Sequence, residues 1–137
     1  MLNELIERNK DTLILAARIL LMVLFVLFGW SKLTNFSGTV GFMGSEGAPM
    51  PFLSTIIAVV MEFFVAIALI LGVFTRPLAL VFVVYTFGTA LIGHHYWTME
   101  GADRMMNMIN FYKNISIMGG LTLLAVTGPG KFALQRK

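Results

Sequence analysis

The sequence predicts an all-α integral membrane protein, a single transmembrane four-helix bundle spanning residues 1–137 with both termini cytoplasmic. Three observations predict it. Hydrophobic residues make up 58% of the 137 positions and charged residues only 12%, whereas a soluble domain is about a quarter charged. The apolar residues fall into four runs, each near the ~20 residues that a helix needs to cross ~30 Å of hydrocarbon. The flanks that carry Lys and Arg lie mostly on one side of those runs.

The first run extends from about Thr12 to Leu33. Residues 1–11 mix Glu4, Glu7 and Asp11 with Arg8 and Lys10, and no small-residue cleavage site follows, so the first helix is expected to stay in the mature protein. The second run extends from about Phe52 to Phe74, entered after Pro49 and Pro51. It leaves at Thr75-Arg76-Pro77, which the spacing predicts to be a tight turn between antiparallel helices. The third extends from about Leu78 to Trp97. The fourth starts near Asp103, a candidate cap, and ends at Val126 before the helix stop Thr127-Gly128-Pro129-Gly130. Its first turns are amphipathic and suit the interface. Segments 34–51 and 98–110 are then the long connections on the outer side.

The charge bias sets the orientation. Arg8, Lys10, Arg76, Lys131, Arg136 and Lys137 flank one side; Arg104 lies on the other, with Lys32 and Lys113 near that boundary. The net charge of +3 is therefore a topology signal and not a nucleic-acid surface. Cysteine is absent, which excludes a disulfide framework, a CxxC relay and thiolate-held metal or iron–sulfur centres on this chain.

Glu62 is the sharpest single signal. It lies 11 residues after Pro51 and 14 before Arg76, which places it near the midplane. An ionised carboxylate there costs about 3 kcal/mol on insertion scales unless it is paired, protonated or wet. Two readings follow: a structural acid that pins two helices, or a group that binds a ligand or handles protons. Arg18 and Lys32 lie 14 residues apart on one face of the first helix, about 21 Å along its axis. Either both snorkel to opposite interfaces, or Arg18 pairs with Glu62. Ala58, Glu62, Ala66 and Leu69 share a face that continues to Gly72. Gly29, Gly88, Gly93, Gly119 and Gly120 read as close-packing positions on the other helices.

A polar group gathers near the outer helix ends: Trp30 and Lys32; His94, His95, Tyr96 and Trp97; and Asn107, Asn110, Lys113 and Asn114. Trp and Tyr form an interfacial belt. The histidines and the asparagine stripe exceed what a belt needs, and serve either as ties between helices or as contacts to a carbonyl-bearing ligand. Adjacent histidines point about 100° apart on a helix, so they do not clamp one haem. Met99, Met105, Met106 and Met108 read as the apolar face of an interfacial helix in preference to a Cu(I) site, and no metal is expected.

These residues, in this order, resemble the DoxX family of small four-helix bacterial inner-membrane proteins. The likeness rests on Arg18, Phe28-Gly29-Trp30-Ser31-Lys32, Gly47-Ala48-Pro49-Met50-Pro51, and Glu62 followed by Leu71-Gly72-Val73-Phe74-Thr75-Arg76. Asn110-Phe111-Tyr112-Lys113-Asn114, Gly119-Gly120 and Gly128-Pro129-Gly130 complete it. The resemblance implies an inner-membrane location and an accessory or ligand-binding subunit of a quinone-linked redox or stress-defence system. A quinone is the implied ligand, and the redox centre is expected on a partner protein or on the ligand. The alternatives are a carrier or sensor for an apolar metabolite, or a scaffold of a membrane complex, with homo-oligomers open to each. Candidate ligand-binding residues are Arg18, Lys32, Glu62, His94, His95, Asn110, Lys113 and Asn114. A cavity, where the chain forms one, is expected to open in the outer half with Glu62 near its floor.

Overall fold

A computed structural model describes residues 1–135; Arg136 and Lys137, counted above in the charge bias, lie outside the described residues. The described chain is helical, in seven α-helices: α1 Leu2–Arg8, α2 Lys10–Thr34, α3 Phe36–Ser45, α4 Pro51–Val59, α5 Ala66–Leu71, α6 Thr75–Gly93 and α7 Gly101–Thr127. A π-turn at Val60–Val65 joins α4 to α5 without a break, and a 3-10 turn at Tyr96–Thr98 follows α6. Three stretches are long and apolar enough to cross a membrane: Lys10–Thr34, Pro51–Leu71 and Thr75–Thr98. α7 has 27 residues, but its first half carries Asp103, Arg104 and Lys113.

Several expected boundaries move, each for a local reason. The polar residues before the first run are themselves helical, as α1, with Leu2, Leu5 and Ile6 exposed beside Glu4, Glu7 and Arg8. The 34–51 connection holds α3, whose glycines hid its periodicity; it packs along α4, with Phe36 and Phe52 edge to face at 5.4 Å. The turn expected at residues 75–77 lies at 72–74 instead. Gly72 takes φ +76, Val73 N–H bonds Ala68 C=O at 2.9 Å and Gly72 N–H bonds Leu69 C=O at 3.3 Å. That is the paired bonding of a Schellman stop, and it lets Thr75, Arg76 and Pro77 form the first turn of α6, where a proline is tolerated. α6 ends at Gly93, before the histidines, and Asp103 is inside α7 and does not cap it.

The core lies where α2, the π-turn, α5, α6 and α7 meet, around Met22, Phe25, Met61, Ala66, Leu69, Ala79, Phe82, Leu121 and Leu124. Phe25 meets Phe82 edge-on at 4.7 Å. Outward faces carry Leu20, Leu27, Phe64, Val84 and Leu123, the pattern of a protein whose solvent is lipid. The small residues divide. A Cβ on Gly29 would lie 2.6 Å from the backbone carbonyl of Glu62, and one on Gly120 would lie 3.2 Å from Leu21. Gly88, Gly93 and Gly119 face open space, which corrects their assignment as packing positions.

After α7 the chain turns at Gly128 and runs back as an irregular, bent strap across the ends of α2 and α5. Lys131 N–H bonds Asp11 Oδ1 at 3.0 Å, and the N–H groups of Leu134 and Gln135 bond the carbonyls of Leu71 and Gly72 at 2.9 and 3.1 Å. Gln135 Oε1 accepts from Phe74 N–H at 2.8 Å.

The approach at Gly29 yields a prediction. Gly29→Ala should force α2 off the π-turn and lower stability by about 1–3 kcal/mol, the usual cost of overpacking. Gly88→Ala, facing open space, should stay within about 0.5 kcal/mol of the parent. Thermal unfolding of the two variants in one detergent compares them, and equal midpoints would show that the α2 contact is not tight.

Candidate functional site

The π-turn holds Glu62, and such single wide turns mark many functional sites. The turn widens the helix where α2 comes closest, with Gly29 against the Glu62 backbone. The Glu62 side chain is buried, yet both carboxylate oxygens are engaged. Lys32, from the last turn of α2, reaches back so that its Nζ donates to Oε1 at 2.8 Å. Tyr85, from α6, donates its hydroxyl to Oε2. One acid thus ties three helices.

The electrostatic account closes locally. The carboxylate and the ammonium cancel, and the phenol adds a donor without adding charge. The ammonium also stands 5.9 Å from the Phe28 ring centroid, a cation–π contact. Side-chain exposure of 24% for Lys32 against 10% for Glu62 leaves the lysine the more reachable member of the pair. Removing one member of such a desolvated pair leaves the other unpaired, at a cost of about 3–5 kcal/mol.

Arg18 neither pairs with Glu62 nor snorkels to water. It is fully buried and donates to three backbone carbonyls: Pro129 at 2.5 Å, Ile70 at 2.7 Å and Phe132 at 2.7 Å. The reason is the end of α5. A helix leaves its last carbonyls without partners; here Ala68 and Leu69 are served by the Schellman bonds, Ile70 by Arg18, and Leu71 by the strap. A cation at a helix C-terminus also suits the helix dipole.

The polar residues around the α6–α7 connection form separate pairs. His94 Nδ1 lies 3.0 Å from Asn107 Oδ1, and His95 Nδ1 lies 2.7 Å from the carbonyl of Ile92, near the end of α6. Lys113 Nζ donates to Asn110 Oδ1 at 3.2 Å. Asn114 is buried and donates to Thr89 Oγ1 at 3.2 Å and to the Thr86 carbonyl at 3.4 Å, tying α7 to α6. Tyr96, Trp97, Phe111 and Tyr112 stack beside them, with Arg104 over Tyr96 at 5.7 Å. Of the candidate residues, the structure brings Lys32 and Glu62 together and places the others elsewhere. Tyr85 was missed. The available signal was a lone phenol in the middle of an apolar run, since a buried Tyr hydroxyl needs a partner.

The DoxX family model matches residues 13–95, which include Arg18, Lys32, Glu62 and Tyr85. The chain is 56% identical to inner membrane protein YphA of Escherichia coli (strain K12), over 93% of this chain and 91% of that protein. It is 37% identical to inner membrane protein YqjF of the same organism, over 95% of each. A more distant likeness, 27% identity, joins 99% of this chain to 37% of the ER-derived vesicles protein ERV29 of Saccharomyces cerevisiae (strain ATCC 204508 / S288c). No solved structure matches the chain significantly. With its apolar helices, a family model over more than half its length and two such similar inner-membrane relatives, the protein is an inner-membrane member of the DoxX family.

Proposed function

We propose that the protein is a four-span ligand-binding subunit that holds a small apolar molecule with a polar head beside Lys32, Glu62 and Tyr85. The observation that carries this reading is the buried Glu62 carboxylate, on a π-turn, held by a phenol and by a lysine side chain that remains partly accessible. Two donors converge on one point, next to the apolar ring of Phe28. Ligand sites combine apolar walls with a few placed polar contacts.

The pair Lys32 and Glu62 is neutral overall, so a neutral head fits better than an acid, which would add an uncompensated charge inside the membrane. A quinone meets that condition: its carbonyls accept from Lys32 and Tyr85, and when bound it supplies two-electron, two-proton chemistry. The chain itself binds and orients the head, with Glu62 holding Lys32 and Tyr85 in place. With no cysteine in the chain, electrons come from a partner in this reading. α7 serves as the fourth span. Its 27 residues reach about 40 Å, and its charged residues all lie in the outer half. The flanking charges then put both termini in the cytoplasm.

Two predictions follow from this reading. Protein purified with its native lipids should retain a quinone in native mass spectrometry. Lys32→Ala and Tyr85→Phe should each weaken retention about tenfold, the equivalent of one charge-assisted hydrogen bond. Glu62→Gln should insert normally but bind less. Unchanged retention in all three variants removes the site, ligand flux in vesicles would identify a carrier, and a stable partner complex without ligand would identify a scaffold. For topology, Ser45→Cys supplies the chain's first thiol. It should react with an impermeant reagent added from the periplasm, and protection there would reverse the orientation.

A further inference from the structure

We propose that Arg18 is an oxyanion site held closed by the C-terminal strap, and that a phosphate group occupies it when the strap lifts. The proposal is independent of the Lys32 and Glu62 reading and concerns the opposite half of the bundle.

The argument begins with charge. Arg18 is the largest fully buried side chain of the protein, and among the described residues no carboxylate lies within ion-pair distance of it. The acid beside the strap, Asp11, receives the N–H of Lys131. A whole positive charge is therefore answered only by carbonyl dipoles, and Nε has no partner. A buried donor without a partner is costly, and a guanidinium is shaped for a bidentate oxyanion.

The strap imitates such an anion. It places one oxygen on each terminal nitrogen: Pro129 O on Nη1 at 2.5 Å and Phe132 O on Nη2 at 2.7 Å. Two oxygens across the end of a guanidinium are what a phosphate or carboxylate supplies. Lifting the strap removes both and leaves only Ile70 O. Arg76, which stays on α6 and whose guanidinium borders Gly128, adds a second positive charge that favours an anion.

The strap is built to part from the body. Apart from the two carbonyls it gives to Arg18, which an anion would replace, its hydrogen-bonded anchors are the Lys131, Leu134 and Gln135 backbone N–H groups and the Gln135 side chain. Pro129 is buried and Ala133 packs on Gly72, but the larger apolar side chains point away, Phe132 being 45% and Leu134 72% exposed. At the edge of a membrane such side chains can exchange contacts with the bundle for contacts with the lipid interface. Anionic headgroups concentrated there are one source of phosphate, and free phosphate is the other.

Arginine modification tests this in the full-length protein. Phenylglyoxal labelling of Arg18 is followed by peptide mass spectrometry, with exposed Arg8 as the reference. Two strap-releasing variants are used: Leu134→Pro with Gln135→Ala, and the milder Asp11→Ala with Gln135→Ala. Each protein is placed in phosphatidylcholine nanodiscs, in the same discs with phosphatidylglycerol, and in phosphatidylcholine with inorganic phosphate. Arg18 should be protected in the parent in all three and labelled in both variants in phosphatidylcholine alone. One charge-assisted fork should then slow labelling by about tenfold. Slowing by phosphatidylglycerol identifies a lipid headgroup, and slowing by inorganic phosphate identifies the free ion. Arg18 unlabelled in both variants, or labelled equally fast in all three conditions, overturns the proposal.

Discussion

A carboxylate halfway along an apolar helix has no water to fall back on, so the helices that carry its partners must stand beside it. Lys32 and Tyr85 satisfy Glu62 from α2 and α6, and this requirement orders the upper part of the molecule. It explains the glycine at position 29. A side chain there would hold α2 away from the π-turn, and the Lys32 ammonium would then fall short of Glu62. It also explains the π-turn, which widens the helix at the residue whose carboxylate has to reach two neighbours. Apolar packing around Phe25 and Phe82 is non-directional and would tolerate other rotations of these helices. The hydrogen bonds would not.

The other half of the bundle answers the same constraint with the opposite charge. Where α5 stops at Gly72, each of the carbonyls from Ala68 to Gly72 is met by a backbone N–H or by Arg18. In a membrane that accounting has to close within the protein. The strap takes part in it twice, as donor to Leu71 and Gly72 and as acceptor from Arg18. Sequence-distant parts of the chain therefore depend on one another: the buried cation of the first long helix is hydrogen-bonded by the last residues described.

This distribution explains what the sequence could and could not disclose. The apolar run lengths located the long helices to within a few residues, because a span must be long and apolar whatever it packs against. The importance of Glu62 was legible for the same reason. Its partner was not, because Lys32 and Arg18 share a face of α2 and depth alone allowed either to reach it. The decision lay in the stop at Gly72, which creates orphan carbonyls beside Arg18, and the sequence pattern had placed that turn three residues too late. α3 was hidden because its glycines carry no apolar period; its order comes from packing on α4. The strap, held through its backbone, leaves no pattern in side chains at all.

The two centres differ in a way that bears on function. The Glu62 centre is neutral in sum and ties its acid to two donors. Exchanging a hydrogen-bond partner there changes no net charge. The Arg18 centre holds a cation met by backbone carbonyl dipoles, two of them from the strap. In the readings proposed above a neutral head suits the first and an anion the second, since each leaves its surroundings nearer to neutrality in a medium where a stray charge costs about 3 kcal/mol or more. The two lie in opposite halves, and the long helix α2 and the short α5 run between them. α2 carries both Lys32 and Arg18, so a shift of that helix along its axis would alter both centres together.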